Sequence, residues 1–138
     1  MKTIEKLNEN LVDFFDRITS WETSVIQSGP LTISEAHAIE KIGHYGSMNM
    51  KDLSGKLGVT TGTTTITVDR LEKGGYAVRK RPENDRRSYI IVLTQKGQEA
   101  FLDHHNHHLN LAKEISSVLS EDEISNFSEI LEKINENI

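Results

Sequence analysis

Residues Met48–Leu93 read MNMKDLSGKLGVTTGTTTITVDRLEKGGYAVRKRPENDRRSYIIVL, and the fold turns on how this stretch is parsed. Asn49 is a good N-cap for a short helix: Asp52 falls at its third position, and Met48 and Leu53 have the spacing of a hydrophobic staple. Gly58 ends that helix, and Thr60 after the Gly58-Val59 turn is placed to cap the next one. The following segment, TTGTTTITV, is crowded with β-branched residues that suit a strand as well as a helix. Context decides for helix, because Thr64, Val68 and Leu71 share one face at helical spacing, Asp69–Lys73 favours helix, and Gly74-Gly75 supplies a stop. Tyr76–Arg81 and Ser88–Leu93 then read as two strands joined by the turn residues Pro82-Glu83-Asn84-Asp85, with Arg86 and Arg87 at the tip. Two short helices across a tight glycine turn, followed by a basic hairpin, is the order of parts in a winged helix-turn-helix, a unit that reads DNA.

Outward from this unit lie two apolar seams. From Thr3 to about Ser28, residues Ile4, Leu7, Leu11, Phe14, Ile18, Trp21 and Val25 alternate spacings of three and four, marking one side of a long helix that Gly29-Pro30 stops. A second helix starts near Ser34, read as its N-cap, and runs to about His44, with Ile33, Ile39 and Ile42 as its apolar contacts. Beyond Thr94 a long helix runs from Gln95 to about Leu119. Ser120-Glu121-Asp122-Glu123 then forms a capping box that opens a last helix bearing Ile124, Phe127, Leu131, Ile134 and Ile138. The terminal seams are expected to pair, with Leu7, Leu11, Phe14, Ile18, Ile124, Phe127, Leu131 and Ile134 at a dimer interface. One domain is expected over 1–138, with 33–94 as the DNA-binding region and 3–28 and 95–138 as dimerisation helices.

Charge distribution agrees with a DNA-facing surface. The formal net charge is −5, which by itself disfavours a polyanionic partner. Yet Asp69–Lys96 carries eight basic residues against four acids, while beyond Gly97 two lysines oppose nine acids. The base is on the hairpin and the acid at the C-terminal end. No apolar run approaches the roughly 18 residues of a membrane span. The start, MKTIEKLNENLVDFF, is charged where a signal peptide carries an apolar segment. Both point to a cytoplasmic protein with no membrane part. The absence of cysteine agrees with that compartment and excludes disulfides and thiolate metal sites.

On these residues the chain resembles the MarR family of winged-helix repressors. The resemblance is carried by Leu57–Gly97, where leucine-glycine-valine, a hydroxyl-rich recognition helix, DRLEK with its glycine and tyrosine, the DRR of the wing and LTQKG appear in the family's order. It implies a mainly α fold of about six helices with a small β-hairpin wing, dimerised through the N- and C-terminal helices and binding a pseudo-palindromic operator. It also implies that Thr61, Gly62, Thr63 and Thr65 meet the major groove. At the wing, Asp85 is expected to steady Arg87 as it enters the minor groove, beside Arg86. The expected partner is double-stranded DNA, the expected role is transcriptional repression, and no cofactor is required.

The effector is less constrained. His104 and His108 stand one turn apart on the long fifth helix, a spacing at which two imidazoles bind one metal, with Asp103 beside them. Glu22 and His37 are candidates to complete the set. These four residues resemble the ligands of the zinc-responsive branch of the family, whose second site departs here because its cysteine is missing and Ala36 stands where its glutamate is. A second branch, repressors of fatty-acid synthesis that respond to acylated carrier protein, has histidines in similar places, so zinc and a lipid or acyl group both stand as small effectors. A metal-dependent hydrolase is the main enzyme alternative. It lacks HExxH, a phosphate loop and a nucleophile elbow, so no enzyme is expected. A pure interaction module leaves the basic hairpin unexplained.

Overall fold

The computed structural model describes residues 2–82 and 89–138. In chain order the elements are α1 (Lys2–Gln27), α2 (Ile33–Tyr45), β1 (Met48–Asn49), α3 (Met50–Leu57), α4 (Thr61–Lys73), β2 (Ala77–Lys80), β3 (Ile90–Leu93), α5 (Gln95–Ser116) and α6 (Glu121–Asn137). The chain divides into two compact units, Met1–His104 and His105–Ile138, with the break inside α5.

The first unit is built around one apolar core. Ile39, Leu53, Val68, Leu71 and Ile91 are essentially inaccessible to solvent, and Ile42, Met48, Tyr76 and Leu93 close around them. Each large aliphatic side chain sunk this completely stabilises the fold by about 1.5–3 kcal/mol relative to its exposed state. The threonine-rich segment is a helix, as its context indicates. Thr60 caps it by accepting from the amide of Thr63, and Thr64, Thr67, Val68 and Leu71 form its buried face. Its far end closes as a Schellman turn. Gly75, at φ 82°, donates its amide to the Glu72 carbonyl and Tyr76 donates to that of Leu71, a geometry that favours glycine at this position.

The α3 cap is also as the sequence suggests, with the Asn49 side chain accepting from the Asp52 amide. Two expectations are corrected. The cap of α2 is Thr32 rather than Ser34: Thr32 accepts from the Glu35 amide and donates to the Glu35 carboxylate, a reciprocal arrangement that takes the helix start back to Ile33. Met48 and Asn49 do more than staple and cap. They pair with Ile91 and Ile90 as a third antiparallel strand, giving the sheet order β1-β3-β2.

Strand β3 is therefore central. It pairs with β2 in the register Ala77 to Leu93, Val78 to Val92, Arg79 to Ile91 and Lys80 to Ile90. The tip between the strands, residues 83–88, lies outside the described residues. Thr94 then caps α5 by accepting from the Gly97 amide, while its own amide donates to the Tyr76 carbonyl. A side chain on Gly97 would collide with that same Tyr76 carbonyl, so the backbone of α5 lies against the chain just before β2 only because glycine is there. In the second unit, α6 opens on the expected capping box between Ser120 and Glu123. Among the described residues, no helix is long and apolar enough to cross a membrane.

Candidate nucleic-acid interface

Helix α4 turns one face into the core and the other to solvent. Thr61, Gly62 and Thr63 are exposed at its first turn, Thr65 is half-buried at the side, and Ile66, Asp69, Arg70 and Lys73 continue the outer face. The hydroxyls are ordered before any ligand arrives. Thr60 donates to the Thr63 hydroxyl, which keeps its own hydrogen available, whereas Thr65 donates to the Thr61 carbonyl and presents only its two lone pairs. Thr64 and Thr67 likewise return their hydrogens to the carbonyls of Thr60 and Thr63. These back-bonds satisfy the hydroxyls of Thr64 and Thr67, which are buried against the core.

The turn between α3 and α4 is fixed by a buried polar contact, Ser54 Oγ to Thr64 Oγ1 at 2.8 Å. Gly58 sits at φ 68° between the helices. The exposed first turn of α4 is thus held at a set angle by α3, as reading a groove requires.

The basic side chains divide into two kinds. Arg79 projects from β2 on the same side as its partner Ile91 and is engaged by two acids of α4, at 2.7 Å from Asp69 and in direct contact with Glu72. Its charge is thereby neutralised within the fold, although a single guanidinium shared by two carboxylates leaves the group with one net negative charge. Lys96 is engaged as well, donating to the Gly74 carbonyl at 2.8 Å with its ammonium above the Tyr76 ring. Arg81, at the base of the hairpin, donates to the Tyr89 hydroxyl at 2.6 Å and lies 4.7 Å from that ring's centroid. Arg70, Lys73 and Lys80 are exposed. The predicted wing residues Asp85, Arg86 and Arg87 lie outside the described residues.

The histidine candidates fall into carboxylate pairs. His37 Nε2 on α2 is 2.8 Å from Glu22 Oε1 on α1, so these two predicted residues do meet. His104, on α5 and buried, has its Nε2 3.4 Å from Glu40 Oε2. Sequence reasoning missed Glu40. The available signal was its position three residues after His37 on α2, which sets the two on neighbouring turns of one helix face. His108 follows His104 by one turn on α5 and belongs to the second unit.

A helix-turn-helix whose second helix exposes its first turn, followed by a sheet hairpin, defines a winged helix-turn-helix protein. The MarR family profile matches residues 31–89. The HTH-type transcriptional regulator MhqR of Bacillus subtilis is 30% identical over 104 residues, covering 75% of this chain and 72% of that protein. The match to YfiV, an uncharacterised HTH-type regulator of the same organism, is 30% identical and spans 51% of this chain but only 44% of the relative. Among solved structures, Streptococcus pneumoniae FabT in complex with DNA is similar over 96% of this chain and 95% of that one, with 29% identity and a TM-score of 0.87. The chain belongs to the MarR family and is a DNA-binding transcriptional regulator, not an enzyme.

Proposed function

We propose that the protein acts as a homodimeric repressor that places α4 of each copy in successive major grooves of a pseudo-palindromic operator and is controlled by a small effector. The observation that carries this is the outer face of α4. Its first turn is exposed and free of bulky side chains at Gly62, and the Thr63 hydroxyl retains a hydrogen to donate. Thr61, Gly62, Thr63 and Thr65 then touch base edges or phosphates. Each threonine offers a hydroxyl to polar edges and a methyl to thymine, and Gly62 admits the DNA backbone closely. Arg70, Lys73 and Lys80 supply phosphate contacts beside them, and at the wing Asp85 steadies Arg87 as it enters the minor groove beside Arg86. The likeness to a DNA-bound relative over nearly the whole chain supports the same mode of use.

Zinc is the effector that the side chains suit. It takes imidazole nitrogen and carboxylate oxygen, and Glu22 with His37 and Glu40 with His104 supply both. His108 adds an imidazole one turn along α5. Zinc held by Glu40 and His104 would tie the first half of α5 to α2. It would regulate only by favouring one arrangement of the two reading heads over another. The lipid- or acyl-responsive alternative rests on the sequence resemblance and on the likeness to FabT, a repressor of fatty-acid synthesis.

The test is selection of duplexes from a random pool followed by gel shift. The expected result is an inverted repeat with half-sites centred about 10–10.5 base pairs apart or a multiple of that, bound by two protomers and more tightly at low salt. A protein that selects no sequence, or that binds one half-site as a monomer with undiminished affinity, sinks the proposal.

A further inference from the structure

The outer face of α4 carries an isoleucine. At about 100° per residue, Ile66 lies roughly opposite the core face formed by Thr64, Thr67, Val68 and Leu71. It is 55% exposed. One turn before it stands Gly62 and one turn after it Arg70, with Lys73 beyond on the same stripe. A single exposed apolar side chain is ordinary on a protein surface. This one sits at the centre of a face otherwise made of threonine, glycine and charged residues. It contributes nothing to the core, and its β-branch lowers helix propensity relative to arginine, lysine or alanine.

We propose that Ile66 is a specificity-determining residue that reads a thymine through contact with the C5-methyl group in the major groove. This rests on the operator-binding reading above and extends it to a base. The chemistry is restrictive. The major-groove edges of adenine, guanine and cytosine offer hydrogen-bond donors and acceptors, and of the four bases only thymine presents an apolar group there. An isoleucine pressed on any other base desolvates a polar edge without a partner. Gly62, one turn away, leaves the space on its N-terminal side open, so the methyl groups of Ile66 can approach the groove floor. Arg70 and Lys73 on the same stripe draw in the phosphates that flank it.

The experiment uses the full chain and the duplex obtained by selection. Thymidines in one half-site are replaced singly by deoxyuridine, which removes the methyl group and keeps the base pair. One position per half-site should weaken binding by about fourfold, the worth of one buried methyl group. Ile66→Ala, which alters both half-sites of the dimer, should lose about sixteenfold on the thymine duplex and be indifferent to deoxyuridine at that position, so that the two changes do not compound. Ile66→Val, which keeps the branched methyl groups, should retain the discrimination. Both variants leave the core untouched, and unchanged thermal melting verifies it. Losses that multiply independently, or a duplex in which every thymine tolerates uracil, overturn the inference while leaving operator binding intact. If no duplex is selected at all, the operator-binding reading falls and the inference falls with it.

Discussion

Helices α4 and α1 make opposite use of their sequences. Helix α4 has 13 residues, a composition that argues against helix, and four buried side chains; α1 has 26 residues, a regular apolar seam, and none. Along α1, Leu11 is 54% exposed and Phe15 71%. Helix α6 repeats the situation, with Ile124, Leu131 and Ile134 all exposed and no buried residue among its 17. The contrast separates what shapes a helix from what gives it a place. Helix α4 is set by contacts within one chain: caps, back-bonded hydroxyls and a core face. The terminal helices have their pattern but not their cover, and exposed apolar strips of this length mark interaction surfaces. On the proposed reading, the cover is a second copy.

The largest effect should therefore come from the terminal seam. Phe14→Asp puts a charge in the strip without touching the core of the first unit. Sedimentation should show a dimer converted to monomer, and operator affinity should fall by about 10²–10⁴-fold as the second reading head is lost. Far-ultraviolet dichroism should still report a folded chain. A variant that remains dimeric, or a monomer that binds as tightly, would break the comparison at its root.

Next in size is the core beneath α4. Leu71→Ala should destabilise the protein by about 2–5 kcal/mol in urea unfolding. That loss should not depend on protein concentration, because Leu71 is covered within one chain. Leu11→Ala, measured alongside, should shift the transition by an amount that varies with concentration, as expected for a residue covered by another subunit. The same concentration dependence for both variants would mean that the two helices are not held in different ways.

What was legible in the sequence follows the same division. The caps at Asn49, Thr60 and Ser120 and the glycine stops at Gly58 and Gly74-Gly75 are local signals, and together they outweighed the strand propensity of the threonine run. Thr32 was equally local, since Thr32 and Glu35 spell a capping box, but Ser34 two residues on competes for the same role. The features that escaped are non-local. Strand β1 is two residues long and exists only because Ile90 and Ile91 return to pair with it. Arg79 counts as a free cation in any charge tally, yet the sheet register brings it to Asp69 and Glu72. Glu40 has a local signal in its spacing from His37, but its pairing with His104 follows only from the approach of α5 to α2. The exposure of Ile66 likewise required knowing which side of α4 the core takes.

The effector pairs give a smaller and sharper test. Chelator-stripped protein should take up zinc, and His104→Ala and Glu40→Gln should each weaken that uptake by about tenfold or more. Operator affinity of the zinc-loaded protein should change in the same direction for both variants. If Glu40→Gln binds zinc as tightly as the parent, Glu40 merely accompanies His104. If neither variant alters uptake, the imidazoles are structural and the effector is of another class.

The smallest effect isolates the threonines from one another. Thr60→Ala removes the acceptor of the Thr63 amide and should cost about 1 kcal/mol of stability, as loss of a helix cap does. It also removes the hydroxyl that donates to Thr63. The Thr63 side chain is then no longer held in one orientation, and discrimination among duplexes should fall along with stability although Thr60 is not proposed to touch a base. Thr61→Ala should do the reverse, lowering operator affinity with little effect on unfolding, because no cap or core contact depends on Thr61. Measured together, the two variants ask whether preorganisation of α4 and contact by α4 are separable. Equal losses of stability and affinity in both would show that they are not.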